Sequence, residues 1–158
     1  MTDAQKQEFT RKISNANKSD LVVILYDMFD CYAMDAVNEY DEEKIDDMVL
    51  SVRKAKDVVR ELINTLNPEY EISSNLYSIY RYVEKQLITA EIRRNSATIN
   101  EAAKCMRSLA GSFREIAKQD TDEAIMKNAE TVYVGMTYGK NSINESSGNI
   151  GSNRGFFA

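Results

Sequence analysis

The stretch Ile45-Asp46-Asp47-Met48-Val49-Leu50-Ser51-Val52-Arg53-Lys54-Ala55-Lys56-Asp57-Val58-Val59-Arg60-Glu61-Leu62-Ile63-Asn64-Thr65-Leu66 decides the fold class. Its apolar residues Ile45, Met48, Val49, Val52, Ala55, Val59, Leu62, Ile63 and Leu66 recur by threes and fours. That spacing puts them on one face of a helix, while strict alternation would have put them on one face of a strand. Asp41, Glu42 and Glu43 precede the stripe and suit the positive end of a helix dipole, so the helix is expected from about Asp41 to Leu66. Asn67-Pro68 ends it, because a residue before proline disfavours helical backbone.

The same period runs outward in both directions. Toward the N-terminus it predicts a helix from about Asp20 to Glu39, capped by Asn17 or Ser19. Asp20, Asp27, Asp30, Asp35 and Asn38 share one narrow polar stripe of this helix, read as a solvated face. Leu21, Val22, Ile24, Leu25, Met28, Phe29, Tyr32 and Ala36 fill the rest of its circumference. A bundle helix needs an apolar face of about three positions in seven. The wider arc here implies a central helix or spare apolar surface for a partner. Residues 1–16 are polar apart from Phe9 and Ile13, which lie one turn apart, and read as a short helix or an arm.

Toward the C-terminus, Leu76, Ile79, Tyr80, Val83, Leu87 and Ala90 predict a helix from about Ser73 to Arg94, with Ser73 or Ser74 as its cap. Ile99, Ala102, Ala103, Met106, Leu109, Ala110, Phe113 and Ile116 predict another from about Ala97 to Lys118. Gly111 within it either weakens the helix by about 1 kcal/mol or marks a close approach. A shorter fifth segment is expected over Asp122 to Tyr138, from Ile125, Ala129, Val132, Tyr133 and Met136. Residues 139–158 are rich in Gly, Ser and Asn and read as a disordered tail ending in Phe156-Phe157-Ala158. The expected architecture is all-α: an antiparallel four-helix bundle over 17–138 with a short additional C-terminal helix and a disordered tail.

Composition narrows the function. The chain of 158 residues has no histidine, so no histidine general base, Ser-His or Cys-His pair, or Glu-x-x-His di-iron site can be built. An enzyme is not expected, and neither is a cofactor or a metal. The net charge of −5 argues against nucleic acid as a partner. Neither a signal-peptide pattern nor an apolar run long enough to insert in a membrane is present, so the expected location is the cytoplasm. Asp41, Glu42, Glu43, Asp46 and Asp47 lack the ligand spacing and central glycine of an EF-hand loop and read as a solvated helix start. Asp27 and Asp30 lie about one turn apart but read as surface rather than as an acid/base pair. Cys31 and Cys105 lack a Cys-x-x-Cys motif and read as core thiols. For Tyr77, Tyr80 and Tyr82 two readings stand: core filling, or the floor of a groove that receives a partner helix. For Phe156-Phe157 two readings stand as well, a docking motif or a tail without a role.

Residues 13–118 resemble the FliS family of flagellar secretion chaperones, which keep flagellin unpolymerised before export. Leu66-Asn67-Pro68-Glu69-Tyr70-Glu71-Ile72-Ser73-Ser74-Asn75-Leu76, followed by Ile79-Tyr80-Arg81-Tyr82-Val83, is similar to the family's Leu-Asn turn, Glu-Ile-(small)-x-Asn-Leu and Leu-Tyr-x-Tyr-(apolar) order. Leu21-Val22-Val23-Ile24-Leu25-Tyr26-Asp27 resembles its Glu-Leu-x-x-x-Leu-Tyr-Asp segment, and Leu87-Ile88-Thr89-Ala90-Glu91-Ile92 its Leu-x-x-Ala-Asn segment. Three departures stand out. Met28 replaces a usual glycine, Phe113 is the nearest aromatic to a frequent tryptophan, and Phe9 is the only aromatic where the family often has a tyrosine-bearing arm over the groove.

The resemblance implies a cytoplasmic chaperone that binds the disordered C-terminal segment of flagellin. Flagellar export machinery or a co-chaperone would be a further partner. It assigns partner binding to Leu21, Ile24, Leu25, Tyr26, Leu76, Tyr80 and Tyr82. The helical pattern adds Val52 and Val59 to these candidates. The competing reading is a non-catalytic, self-associating helical adaptor.

Overall fold

A computed structural model of the chain describes residues 1–126. Among the described residues there are five helices and no strand: α1 Asp3–Ser14, α2 Lys18–Asp41, α3 Ile45–Asn64, α4 Glu71–Arg93 and α5 Ala97–Gln119. α2 packs on α3 and α5, and α4 packs on the same two, so the four long helices close a square. Neighbours run antiparallel. On α3 and α4, Asp46 meets Arg94, Arg53 meets Glu91, and Arg60 meets Glu84. On α2 and α5, Asp27 meets Arg114 and Asp30 meets Arg107. The antiparallel bundle is therefore as expected, and α1 is the additional element, laid along α2.

The core is the sum of the stripes. Tyr26, Phe29, Ala33 and Ala36 of α2 meet Met48, Val52, Ala55, Val59 and Leu62 of α3. Leu76, Tyr80, Val83 and Leu87 of α4 and Ile99, Ala102, Met106 and Ala110 of α5 complete it. Each large side chain among these contributes about 1.5–3 kcal/mol by leaving water. Among the described residues no helix is long and apolar enough to cross a membrane.

Local chemistry sets the boundaries. Asn17, not Ser19, caps α2: its side chain accepts from the Asp20 N–H at 2.8 Å, and the Asp20 carboxylate accepts in return from the Asn17 N–H. Thr2 and Gln5 form the equivalent box on α1. α3 starts at Ile45 rather than Asp41 because Glu43 takes a left-handed φ of 61°, which breaks the helix between α2 and α3. α4 starts at Glu71, before the expected Ser73 or Ser74. Ser73 instead lies inside the first turn and donates to the Asn67 carbonyl at 2.6 Å, tying the Asn67-Pro68 turn to α4.

The largest departure follows α5. Residues 120–126 are not helical. They return to the α1–α2 junction, where the Ile125 N–H donates to the Ala16 carbonyl at 3.0 Å and Asn17 donates to the Asp122 carbonyl at 3.3 Å. Ser19 adds a hydrogen bond to the Asp120 carboxylate. The Asp122 start of the expected fifth helix is thereby corrected: backbone groups that a helix would use are engaged with α1 and α2 instead. The remainder of that segment, Ala129 to Tyr138, and the tail with Phe156-Phe157 lie outside the described residues.

Candidate functional site: grooves beside α4 and beneath α1

The structure separates the candidate residues into two groups. Tyr26, Val52, Val59 and Tyr80 are sealed in the core, and Leu76 and Ile24 are nearly so. Leu21 and Leu25 are partly buried, and Tyr82 is exposed. Tyr80 and Tyr82 differ by two positions, about 200° around a helix, so one points inward and the other outward.

Tyr82 stands at the rim of a groove between α4 and α5. Ile79, Cys105 and Leu109 form its apolar lining, Ser108 contributes a hydroxyl, and Glu101 and Lys104 flank it. Its volume is ~420 Å³, and it is open to solvent along its length. Ile72 on α4 and Ile116 on α5 are exposed, each two turns along its helix from a groove residue, Ile79 and Leu109. Burial pushes the Cys105 thiol above its ordinary range, so it behaves as an apolar group with weak nucleophilicity. Six of the exposed large apolar residues, Tyr70, Ile72, Tyr77, Tyr82, Ile88 and Ile92, lie on α4 or its N-cap, which makes α4 the most apolar outer surface of the bundle.

The spare arc of α2 is not bare. α1 lies across it, and Phe9, Ala16 and Ile24 form a second apolar cluster joined by Ile13, Leu21, Met28 and Cys31. Phe9 is the only residue of α1 that is buried, so α1 rests on one aromatic anchor. A groove of ~360 Å³ runs between the two helices, lined by Arg11, Lys12, Asn15, Ala16, Asp20, Val23, Ile24 and Asp27. Cys31 is partly buried in this cluster, and its thiol is pushed up by burial and then by Asp35, Asp30 and Asp27. The polar stripe of α2 is also employed. Asp27 accepts from Arg114 at 2.5 Å and Asp30 from Arg107 at 2.6 Å, where a purely solvated face was expected. Each such exposed pair contributes only about 0–1 kcal/mol, but together they mark the α2–α5 seam as closed.

At the centre, the Tyr26 and Tyr80 hydroxyls share a hydrogen bond of 2.6 Å across the bundle. Phe113 packs on Tyr26 with ring centroids 5.3 Å apart. Burial pushes both phenols up, so they remain neutral in the folded protein. The Leu-Tyr-Asp and Tyr-x-Tyr segments thus each bring one tyrosine to the same buried contact.

The sequence model of the family described as Flagellar protein FliS matches residues 1–120. The chain belongs to the FliS family. It is also similar to the flagellar secretion chaperone FliS of Bacillus subtilis (strain 168), 26% identical over 110 residues, covering 68% of this chain and 77% of the relative. The FliS match includes α1, so this helix lies within the family region rather than outside it. FliS is a chaperone family.

Proposed function

We propose that this FliS-family chain is a cytoplasmic flagellar export chaperone that binds the C-terminal segment of flagellin, keeps it from polymerising and holds it for secretion. The observation that carries this reading is the α4–α5 groove: Ile79, Tyr82, Cys105 and Leu109 offer an apolar seam on the helix richest in exposed apolar side chains. An amphipathic flagellin helix lays its apolar positions along that seam. The second seat is the outer face of α2, which is vacated when α1 swings away. Its single buried anchor, Phe9, supports such a displacement. Leu21, Leu25 and Ile24 then join Tyr82 in binding, while Tyr26, Val52, Val59, Leu76 and Tyr80 act by shaping the bundle. Folding of a disordered client on such a surface typically buries about 1,000–3,000 Å².

The self-associating adaptor reading loses support for the chain with α1 docked, where α1 occupies the apolar arc it required. The test is a calorimetric titration of the C-terminal flagellin segment into the whole chain and into Tyr82→Ala. A 1:1 complex is expected, weakened roughly tenfold by the substitution, which is about 1.4 kcal/mol. A complex of unchanged affinity in Tyr82→Ala moves the client away from this groove, and absence of any complex removes the proposal.

A further inference from the structure

A second exposed apolar stripe lies on the opposite flank of α4, toward α3. Tyr77, Ile88 and Ile92 are 48%, 38% and 76% exposed. Their spacing of eleven and four residues keeps them in line over about 22 Å of helix. None of them lines the α4–α5 groove. Beside this stripe sits a layered set of charges. Glu84 and Glu91 lie underneath, with side chains only 6% and 20% exposed. Arg53, Arg60 and Arg81 lie above them, each more than half exposed.

Glu91 accepts from Arg53 Nε at 2.7 Å and from Lys56, while Glu84 accepts from Arg60 Nε at 3.1 Å and from Arg81. Arg60 also reaches the exposed Asp57 at 3.4 Å. For Arg53 and Arg81 these contacts use one side of the guanidinium, while Arg60 uses both Nε and Nη1 and keeps Nη2 outward. The Nη groups of Arg53, and Nε and Nη2 of Arg81, have no acceptor among the described residues. Glu84 and Glu91 are thus consumed inside, and the outer layer sets Arg53, Arg60 and Arg81 against the single exposed carboxylate of Asp57, on a chain whose net charge is −5.

We infer that the α3–α4 face is a second docking surface, for an amphipathic helix of another protein that carries carboxylates beside its apolar stripe. The apolar residues of that helix cover Tyr77, Ile88 and Ile92. Its carboxylates, two turns apart, meet Arg53 and Arg60, which are themselves two turns or about 10.5 Å apart on α3. Arginine suits the role because its planar fork can hold one carboxylate below and receive another above. A second copy of this chain is disfavoured as occupant, since a two-fold contact through this face sets arginine against arginine. An anionic membrane is disfavoured by the acidic net charge.

The test uses the full chain and two labelled synthetic helices of about 18 residues, ~27 Å long. Both have the same leucine stripe, flanked in one by glutamates two turns apart and in the other by lysines. Fluorescence anisotropy is expected to show the glutamate helix binding about tenfold more tightly, with a preference that fades as salt rises. Arg53→Gln with Arg60→Gln should abolish the preference. Ile88→Ser with Ile92→Ser, at exposed positions that leave the core intact, should weaken the glutamate helix about tenfold. Tyr82→Ala should leave it unchanged. Four results overturn the inference: equal binding of the two helices, loss of binding in Tyr82→Ala, a dimer in sedimentation that Ile88→Ser with Ile92→Ser dissolves, or anionic phosphatidylglycerol vesicles binding the chain through the same arginines.

Discussion

The hydroxyls of Tyr26 and Tyr80 meet at 2.6 Å in the middle of the bundle, one from α2 and one from the diagonally opposed α4. The contact locks the rotation of two helices that otherwise touch little. Each hydroxyl is the other's partner, so the cost of losing one falls on the one left behind. Tyr26→Phe or Tyr80→Phe alone should destabilise by about 1–3 kcal/mol, whereas the double substitution should cost much less than the sum. Denaturant unfolding of the four proteins checks this, and additive losses would show that the hydroxyls act independently.

Val52 and Val59 are fully buried on α3, whereas Tyr82 is 47% exposed on α4. Val52→Ala and Val59→Ala should each lower stability by about 2 kcal/mol, through lost burial and the void left behind. Any loss of flagellin binding should then track the fraction unfolded. Tyr82→Ala should show the reverse pattern, with stability changed by less than about 0.5 kcal/mol and binding weakened. Urea unfolding and calorimetry on the same preparations separate the two behaviours.

A methyl group added at Gly111 would meet nothing within 4 Å. Of the two readings the sequence left open, the close approach is therefore removed, and the glycine is simply a weak point in α5. Gly111→Ala should raise stability by about 1 kcal/mol and leave flagellin binding unchanged, since Gly111 does not line the α4–α5 groove. Thermal unfolding measures the gain.

Glu91 is held below the usual carboxylate range by its hydrogen bonds to Lys56 and Arg53. A carboxylate with a depressed folded-state pKa stabilises the fold above its unfolded pKa of about 4.3. That contribution is lost as pH falls from there through the folded value. Glu91→Gln should therefore flatten the fall in stability between the two values while lowering stability at neutral pH. Denaturation midpoints measured across the acid range would show it, and a parallel shift at every pH would contradict it.

The helices were legible because periodicity alone specifies them. Of the expected stripe, Met48, Val52, Ala55, Val59 and Leu62 became core, Ile45, Val49, Ile63 and Leu66 pack against it partly buried, and Val58 joined the core from outside the stripe. The same pattern shows that Val52 and Val59 face inward, and it could have divided Tyr80 from Tyr82 by their angle around α4. What stayed illegible depends on distant partners. Asp27 and Asp30 look like a solvated pair until Arg114 and Arg107 arrive from α5. Ile125 opens the spacing that predicted a helix from Asp122, yet the hydrogen bonds of Asp120, Asp122 and Ile125 go to Ser19, Asn17 and Ala16. Phe9 and Ile13 were visible as a pair one turn apart, but only the packed structure shows that α1 takes the apolar arc of α2. The family pattern added what spacing cannot give, the kind of partner.

Cys105 lies in the α4–α5 groove, and Cys31 lies in the separate α1–α2 cluster. In a Cys31→Ala chain, the rate of Cys105 alkylation therefore reports on that groove alone. With saturating C-terminal flagellin segment, the rate should fall about tenfold, matching its protected fraction. An unchanged rate with the segment demonstrably bound would contradict binding in this groove.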